Sequence, residues 1–248
     1  MNNQTAILLF SRDPSEDAEI KSSGNFRQRS NYCFEKSLSS IFDVISNSRL
    51  VFFVSTTKER GEEYFSKFNC PLIIQSQKSF GKKFYESIKY VFDKGFDNVI
   101  VLGNDTPSLK LRDIKYAAEH TSKNNSVIGP SKDGGFYLLS LNKNDFSKID
   151  PIRFKSINYQ QSKAAFELIS LLNDFSIFQY LLKKKSDFDE LSSLQIYYLF
   201  RVQIENSLTG MQNILFNYLI IEYYLTLFIK YKNSFKTFTS LSSPPLHI

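Results

Sequence analysis

The chain has no tryptophan, and its 248 residues include only two cysteines, two histidines and two methionines. Each scarcity removes a class of chemistry. Cys33 and Cys70 lie far apart and outside any metal-ligand spacing, so neither a disulfide framework nor a thiolate zinc site is expected, and a reducing cytoplasm suits the chain. His120 and His247 are the only histidines, and only His120 falls in the periodic body, at a predicted helix end, which all but excludes a Ser–His or Cys–His nucleophile pair. The opening residues lack a basic start and a small-residue cleavage site, so the short apolar run at residues 6–10 reads as a first strand and not a signal peptide. The net charge of +6 and pI near 9.1 suit an anionic partner such as nucleic acid, a membrane surface or a phosphorylated small molecule. The cations are dispersed and no aromatic-basic recognition motif occurs, so no nucleic-acid partner is expected.

What is present is enough apolar residue, 42%, for a real core, and the length suits one α/β domain or one domain plus an appendage. Apolar runs at residues 7–10, 50–54, 71–75, 99–102, 126–129 and 136–141 predict six strands. Helical spacing predicts helices over residues 26–45, 57–68 and 111–120, with a further helix capped by Ser79 and ended by Gly95. Residues 11–21 fit neither period and read as a polar loop over the carboxyl edge of the sheet.

Two carboxylates then stand out. Asp105 lies in Gly103-Asn104-Asp105-Thr106-Pro107, after the fourth strand, and Asp133 in Ser131-Lys132-Asp133-Gly134-Gly135-Phe136, between the fifth and sixth. Open α/β sheets place their ligand crevices at such strand ends. Each aspartate has a simpler reading: Asp two residues before Pro starts β-turns, and Asp-Gly between apolar runs marks a hairpin. Together, amid glycines that let a ligand approach the backbone, they form a hard-oxygen site suited to Mg²⁺ or Mn²⁺. Arg12 and Lys21 in the opening segment, and Lys82 and Lys83 beside the free N–H groups of the helix after Ser79, could meet an anion there; solvated loop cations and plain surface lysines are the alternatives.

The paired motifs Leu102-Gly103-Asn104-Asp105-Thr106-Pro107-Ser108-Leu109 and Gly129-Pro130-Ser131-Lys132-Asp133-Gly134-Gly135-Phe136-Tyr137-Leu138-Leu139 closely resemble the bacterial glycosyltransferase-A-like transferases of the radical-SAM/selenodomain-associated type, relatives of the nucleotide-diphospho-sugar transferase superfamily. The resemblance runs over about residues 7–189 and includes the helix start at Gly81. It implies a Rossmann-like GT-A three-layer sandwich that binds a nucleoside diphosphate-sugar or a nucleoside triphosphate with Mg²⁺ or Mn²⁺. Asp105 would be the metal ligand; Arg12, Lys21 and Lys83 would face phosphate. Asn104, Gly134 and Gly135 would contact substrate, and Asp133, near sugar or acceptor, would take the acceptor's proton. The implied activity is metal-dependent glycosyl transfer to a small-molecule acceptor. Nucleotidyl transfer from a triphosphate to a phosphorylated small molecule is the alternative, and a catalytically lapsed nucleotide-binding module is a third reading.

The domain is expected to span residues 1–190, followed by a helical extension over 191–248. Its apolar run at 214–229 carries Glu222, precedes Lys230, Lys232 and Lys236, and falls short of the roughly 20 apolar residues a membrane span needs. Residues 211–232 are expected to dock on the domain, on a second copy of the chain, or at a membrane surface, which makes the protein cytoplasmic or peripheral to the membrane. The last residues, 240–248 with Pro244-Pro245, are expected to be disordered.

Overall fold

A computed structural model describes residues 4–21, 27–76 and 78–185, with side chains at 4–20, 31, 34–76 and 78–185. The expectations for residues 191–248 lie outside the described residues. In chain order the elements are β1 (Thr5–Phe10), α1 (Pro14–Lys21), α2 (Arg27–Ser48), β2 (Val51–Thr56), α3 (Arg60–Ser66), β3 (Leu72–Ile74), α4 (Phe80–Asp93), β4 (Asn98–Leu102) and α5 (Leu111–His120). There follow β5 (Asn125–Pro130), β6 (Phe136–Asn142), α6 (Lys143–Lys148), α7 (Pro151–Ser156), α8 (Ala164–Asp174) and β7 (Phe178–Leu181).

The strands form a seven-stranded sheet of order β3-β2-β1-β4-β6-β5-β7, in which β6 runs antiparallel to both its neighbours while the remaining pairs are parallel. β1 and β4, at the centre, bury every side chain from Ala6 to Leu9 and from Val99 to Leu102, as strands covered on both faces must. Their alternate residues serve two cores. Ala6, Leu8, Val99 and Val101 pack with Phe84, Ile88 and Val91 of α4, Phe154 of α7 and Leu168 of α8. Ile7, Leu9, Ile100 and Leu102 pack with Leu38, Ile41 and Ile45 of α2, Phe65 of α3 and Ile114 of α5. The result is the helix–sheet–helix sandwich that the apolar runs predict. Each fully buried Ile, Leu or Phe contributes about 1.5–3 kcal/mol to holding its layer on the sheet. No helix among the described residues is long and apolar enough to cross a membrane.

Three differences from the sequence reading matter for the site. Residues 11–21 are not simply loop: α1 begins at Pro14 because Asp13 caps it, its Oδ1 accepting from the Ser15 N–H at 2.5 Å and the Glu16 N–H at 3.0 Å, while the Asp13 N–H donates to Glu16 Oε2 at 3.3 Å. That reciprocal arrangement, with Pro at the first helical position, is a capping box. The helix predicted over residues 57–68 shortens to α3, starting after Glu59 at φ 66°. Beyond β6 the chain adds α6, α7, α8 and an edge strand, β7, parallel to β5.

Candidate active site

Four segments meet above the carboxyl ends of the parallel strands and enclose a cavity of about 820 Å³. The first leaves β1. The Ser11 N–H still donates to Ser55 O at 2.9 Å, after which Arg12 turns its guanidinium to Asp17 on α1, Nη1 to Oδ1 at 3.3 Å. Arg12 is one-third exposed and Asp17 almost fully buried. α1 is tied down a second time where the Thr57 hydroxyl donates to Glu16 at 2.5 Å. Lys21 closes α1, and its side chain lies outside the described residues.

The second segment follows β4. The Gly103 N–H donates to Tyr137 O at 3.1 Å, extending the pairing with β6 by one residue, and the chain then bends through Asn104 and Asp105. Asn104 O accepts from the Ser37 hydroxyl at 3.3 Å, and its side-chain amide donates to Asp17 Oδ2 at 2.5 Å. Asp105, half-buried, lines the cavity with Oδ1 against the Gly103 backbone, where an added Cβ would lie 3.3 Å away. A side chain at position 103 would press on that carboxylate. Thr106, next to it on the cavity wall, has a hydroxyl sealed from solvent and without a hydrogen-bond partner.

The third segment is the turn between β5 and β6. Asp133 Oδ1 accepts from the Gly135 N–H at 3.0 Å and, at closer range, from the Ser131 hydroxyl. Asp133 and Gly135 line the cavity; Gly134 does not. Gly134 sits at φ 96°, its N–H donates to Ser131 O, and a Cβ there would lie 1.8 Å from Ser162 O. The N–H groups expected to reach a sugar are therefore engaged inside the turn, and Gly134 serves the turn and the close approach of the chain before α8.

The fourth segment is the first turn of α4. Ser79 stands at the N-cap without a side-chain bond, Lys83 lines the cavity, and Lys82 is exposed and does not line it. Gly81 permits α4 to touch α7, since a Cβ would lie 2.1 Å from Lys155 O. Phe80 and Phe84, four residues apart on one helix face, join Phe10, Phe136 and Tyr159 in an aromatic wall with ring centroids 5.1–6.1 Å apart. The Tyr159 hydroxyl donates to Phe154 O at 2.9 Å, so the residue offers its ring to the cavity, and burial pushes its phenol well above the usual tyrosine range.

One ion pair braces two of these segments from behind. The Lys185 ammonium donates to Ser108 O at 2.8 Å and meets Asp113 on α5, 4.9 Å above the Tyr137 ring; the backbone of Lys185 bonds Pro130 O and the Lys132 N–H. Burial holds the ammonium below its ordinary range, against the pull of Asp113. His120 is elsewhere, stacked on Tyr116 at 3.8 Å.

Of the residues expected at the site, Arg12, Lys83, Asn104, Asp105, Asp133 and Gly135 share the cavity. Sequence reasoning missed Asp17, Lys185 and the aromatic wall. The i, i+4 spacing of Phe80 and Phe84 was a signal for the last; Asp17 needed α1 to be recognised.

Among the described residues, no group of three or more His, Cys, Asp and Glu side chains is placed to hold a metal ion. An all-protein cage is thus not formed by them. Asp105, with the orphaned Thr106 hydroxyl beside it, fits the other mode of Mg²⁺ or Mn²⁺ binding, in which one or two carboxylates share the ion with substrate phosphates.

Superposition on known structures places the fold. A family model described as an uncharacterized protein conserved in bacteria (DUF2064) matches residues 41–161, which include the loop after β4 and the turn after β5. No curated protein matches the chain in sequence. A protein of Desulfovibrio desulfuricans G20, provisionally named a nucleotide-diphospho-sugar transferase, superposes with a TM-score of 0.66 at 15% identity over 84% of this chain and 90% of that one. This chain has the nucleotide-diphospho-sugar transferase fold. A nucleotidyl transferase of Methanothermobacter thermautotroptrophicus shares it at a TM-score of 0.54 and 13% identity, over 81% of this chain and 100% of that one. The 4-diphosphocytidyl-2C-methyl-D-erythritol synthase of Anaerococcus prevotii DSM 20548 does so at 0.52 and 11%, over 80% and 96%.

Proposed function

We propose that the chain is a transferase that takes a nucleotide substrate in this cavity, and that it moves a glycosyl group from a nucleoside diphosphate-sugar with the help of Mg²⁺ or Mn²⁺. The observation that carries the proposal is the convergence of Arg12, Lys83, Asn104, Asp105 and Asp133 on one cavity in a fold of this kind. At about 820 Å³ the cavity is near the top of the range of about 300–1,000 Å³ for a small-molecule site, which leaves room for a donor and an acceptor. The likeness of the paired aspartate motifs to radical-SAM/selenodomain-associated transferases supports the same reading.

Asp105 would hold the ion together with substrate oxygens; when bound, the ion supplies Lewis-acid neutralisation of the departing diphosphate's charge. Arg12 and Lys83 hold the phosphates, and Asn104 orients the donor. The sugar carbon's bond to the diphosphate oxygen breaks as its bond to the acceptor oxygen forms, and the acceptor's proton passes to Asp133. The aromatic wall excludes water and packs against the apolar face of the acceptor.

Nucleotidyl transfer from a triphosphate is the second reading, favoured by the nucleotidyl transferases of the same fold. Incubating the full chain with Mn²⁺ and either sugar nucleotides or nucleoside triphosphates separates the two by product. Release of a nucleoside diphosphate, lost in Asp105→Asn, supports glycosyl transfer; pyrophosphate release supports the second. Release of neither overturns both and leaves a binding module.

A further inference from the structure

The wall of the cavity formed by α1 carries the wrong charge for a phosphate site. The segment that brings Arg12 also brings Asp13, Glu16, Asp17 and Glu19, and Glu19 is paired with Arg60 at 3.0 Å. Asp17 is the one of these that lines the cavity. Its side chain is 6% exposed and both oxygens are engaged: Oδ1 accepts from the Arg12 guanidinium at 3.3 Å, and Oδ2 from the Asn104 amide at 2.5 Å. These are a guanidinium and an N–H donor, from the loops after β1 and β4, converging on one anion. That is the donor pair a ligand phosphate would use at the same place.

We infer that Asp17 is a built-in anion that occupies the phosphate subsite between Arg12 and Asn104 and sets how much negative charge the cavity accepts. This rests on the reading of Arg12 and Asn104 as substrate-facing residues given above. Both donors are already spent on this carboxylate, so a phosphate arriving beside it must share them and meets a like charge that the single Arg12 guanidinium cannot neutralise together with its own. The repulsion grows with the charge of the ligand. A nucleoside triphosphate, with a further ionised phosphate where the sugar would be, is disfavoured more than a diphosphate-sugar. Asp17 is thus a specificity-determining residue, and it selects against the triphosphate on electrostatic grounds without touching the reacting atoms.

The test uses probes that carry no base or sugar. Binding of inorganic tripolyphosphate and of pyrophosphate to the full chain, with Mg²⁺ present, is measured by calorimetry for the unaltered protein, Asp17→Asn, Asp17→Ser and Asp17→Asn combined with Arg12→Met; thermal melting shows which variants fold. The expected result is that either Asp17 variant binds tripolyphosphate at least tenfold more tightly, that pyrophosphate gains less, and that Arg12→Met removes the gain. Unchanged or weaker binding in both Asp17 variants overturns the inference and makes Asp17 a residue that only holds Arg12 and Asn104 in place. No binding of either probe to any variant overturns it as well, since no anion subsite would then exist. The proposed transferase reading fails by a different signal: tighter tripolyphosphate binding in Asp17→Asn with no product from any sugar nucleotide or triphosphate leaves the anion subsite standing and removes the reaction.

Discussion

The loop after β4 and the turn after β5 are alike in sequence and unlike in how they are held. Each sets an aspartate beside glycine at a strand end. In the turn the aspartate itself makes the closing bonds: Asp133 Oδ1 accepts from Ser131 and Gly135, and the Ser131 N–H donates to Gly135 O, all within five residues, with Lys185 and Ala165 bonding the turn's backbone from outside. The loop is built from a distance. Ser37 donates to Asn104 O, Asn104 donates to Asp17, and Lys185 donates to Ser108 O, across 67, 87 and 77 residues of sequence. An aspartate that makes its own turn is felt in stability when it is removed. An aspartate whose loop is made by others is felt in binding if, as proposed, it holds the ion.

The largest effect expected from that contrast is at Asp105. Asp105→Asn keeps the shape of the side chain and the distant bonds of its loop, so the melting temperature should stay within about 2 °C while turnover in the nucleotide assay falls on the order of 1,000-fold. A variant that melts much lower but still turns over would break the contrast. Next comes Gly134→Ala. The residue sits at φ 96° with Ser162 O in the way of any Cβ, so denaturant unfolding should show a loss of about 3 kcal/mol. A loss under about 1 kcal/mol would mean that the turn moves aside easily.

The sheet was legible for a simple reason: strands buried on both faces leave unbroken apolar runs, and residues 7–10 and 99–102 read as β1 and β4 to within two residues at each end. α5 was legible to the residue because its apolar spacing and its ends agree. α1 was not, although Asp13-Pro14-Ser15-Glu16 spells a capping box, because the helix has no apolar stripe; its Ala18 is buried, but acids surround it. Missing α1 hid Asp17, and with it the reason Arg12 is held as it is. Lys185 was illegible on principle, since nothing local in the sequence shows that a lysine after β7 reaches Asp113 and Ser108. The two motif aspartates were visible, but their different roles in the backbone were not. Asx-type bonds depend on geometry that the letters Asp-Gly share with many turns.

Asp133 lies between the two regimes. Asp133→Ala removes the acceptor that holds Ser131 and Gly135, and should cost about 1–2 kcal/mol in unfolding experiments. Ser131→Ala removes one of those bonds and should cost less. If Asp133 also takes the acceptor's proton, turnover in Asp133→Ala falls far more than in Ser131→Ala. Equal losses of turnover in the two variants would reduce Asp133 to a turn former and remove it from the chemistry.

The smallest effect belongs to the brace behind both segments. Burial lowers the Lys185 ammonium from its ordinary value of 10.5, so in the alkaline range the unfolded chain holds this proton to a higher pH than the folded one. Stability must then rise with pH across the interval between the lowered value and 10.5, as far as this group is concerned. The buried tyrosines work in the opposite sense at the top of that range: burial raises Tyr64 to about 12 and Tyr137 further, so the unfolded state loses those protons first and stability falls. The measurement is therefore the difference between the unaltered chain and Lys185→Met, followed by denaturant unfolding from pH 7 to 9.5. Lys185→Met should start less stable, because Asp113 loses its partner in a site where both side chains are only 10% exposed. The gap between the two proteins should widen as pH rises, by less than about 1 kcal/mol. A gap that narrows instead would mean that Asp113, and not burial, governs the lysine, and that the loop of Asp105 is clamped most firmly at neutral pH.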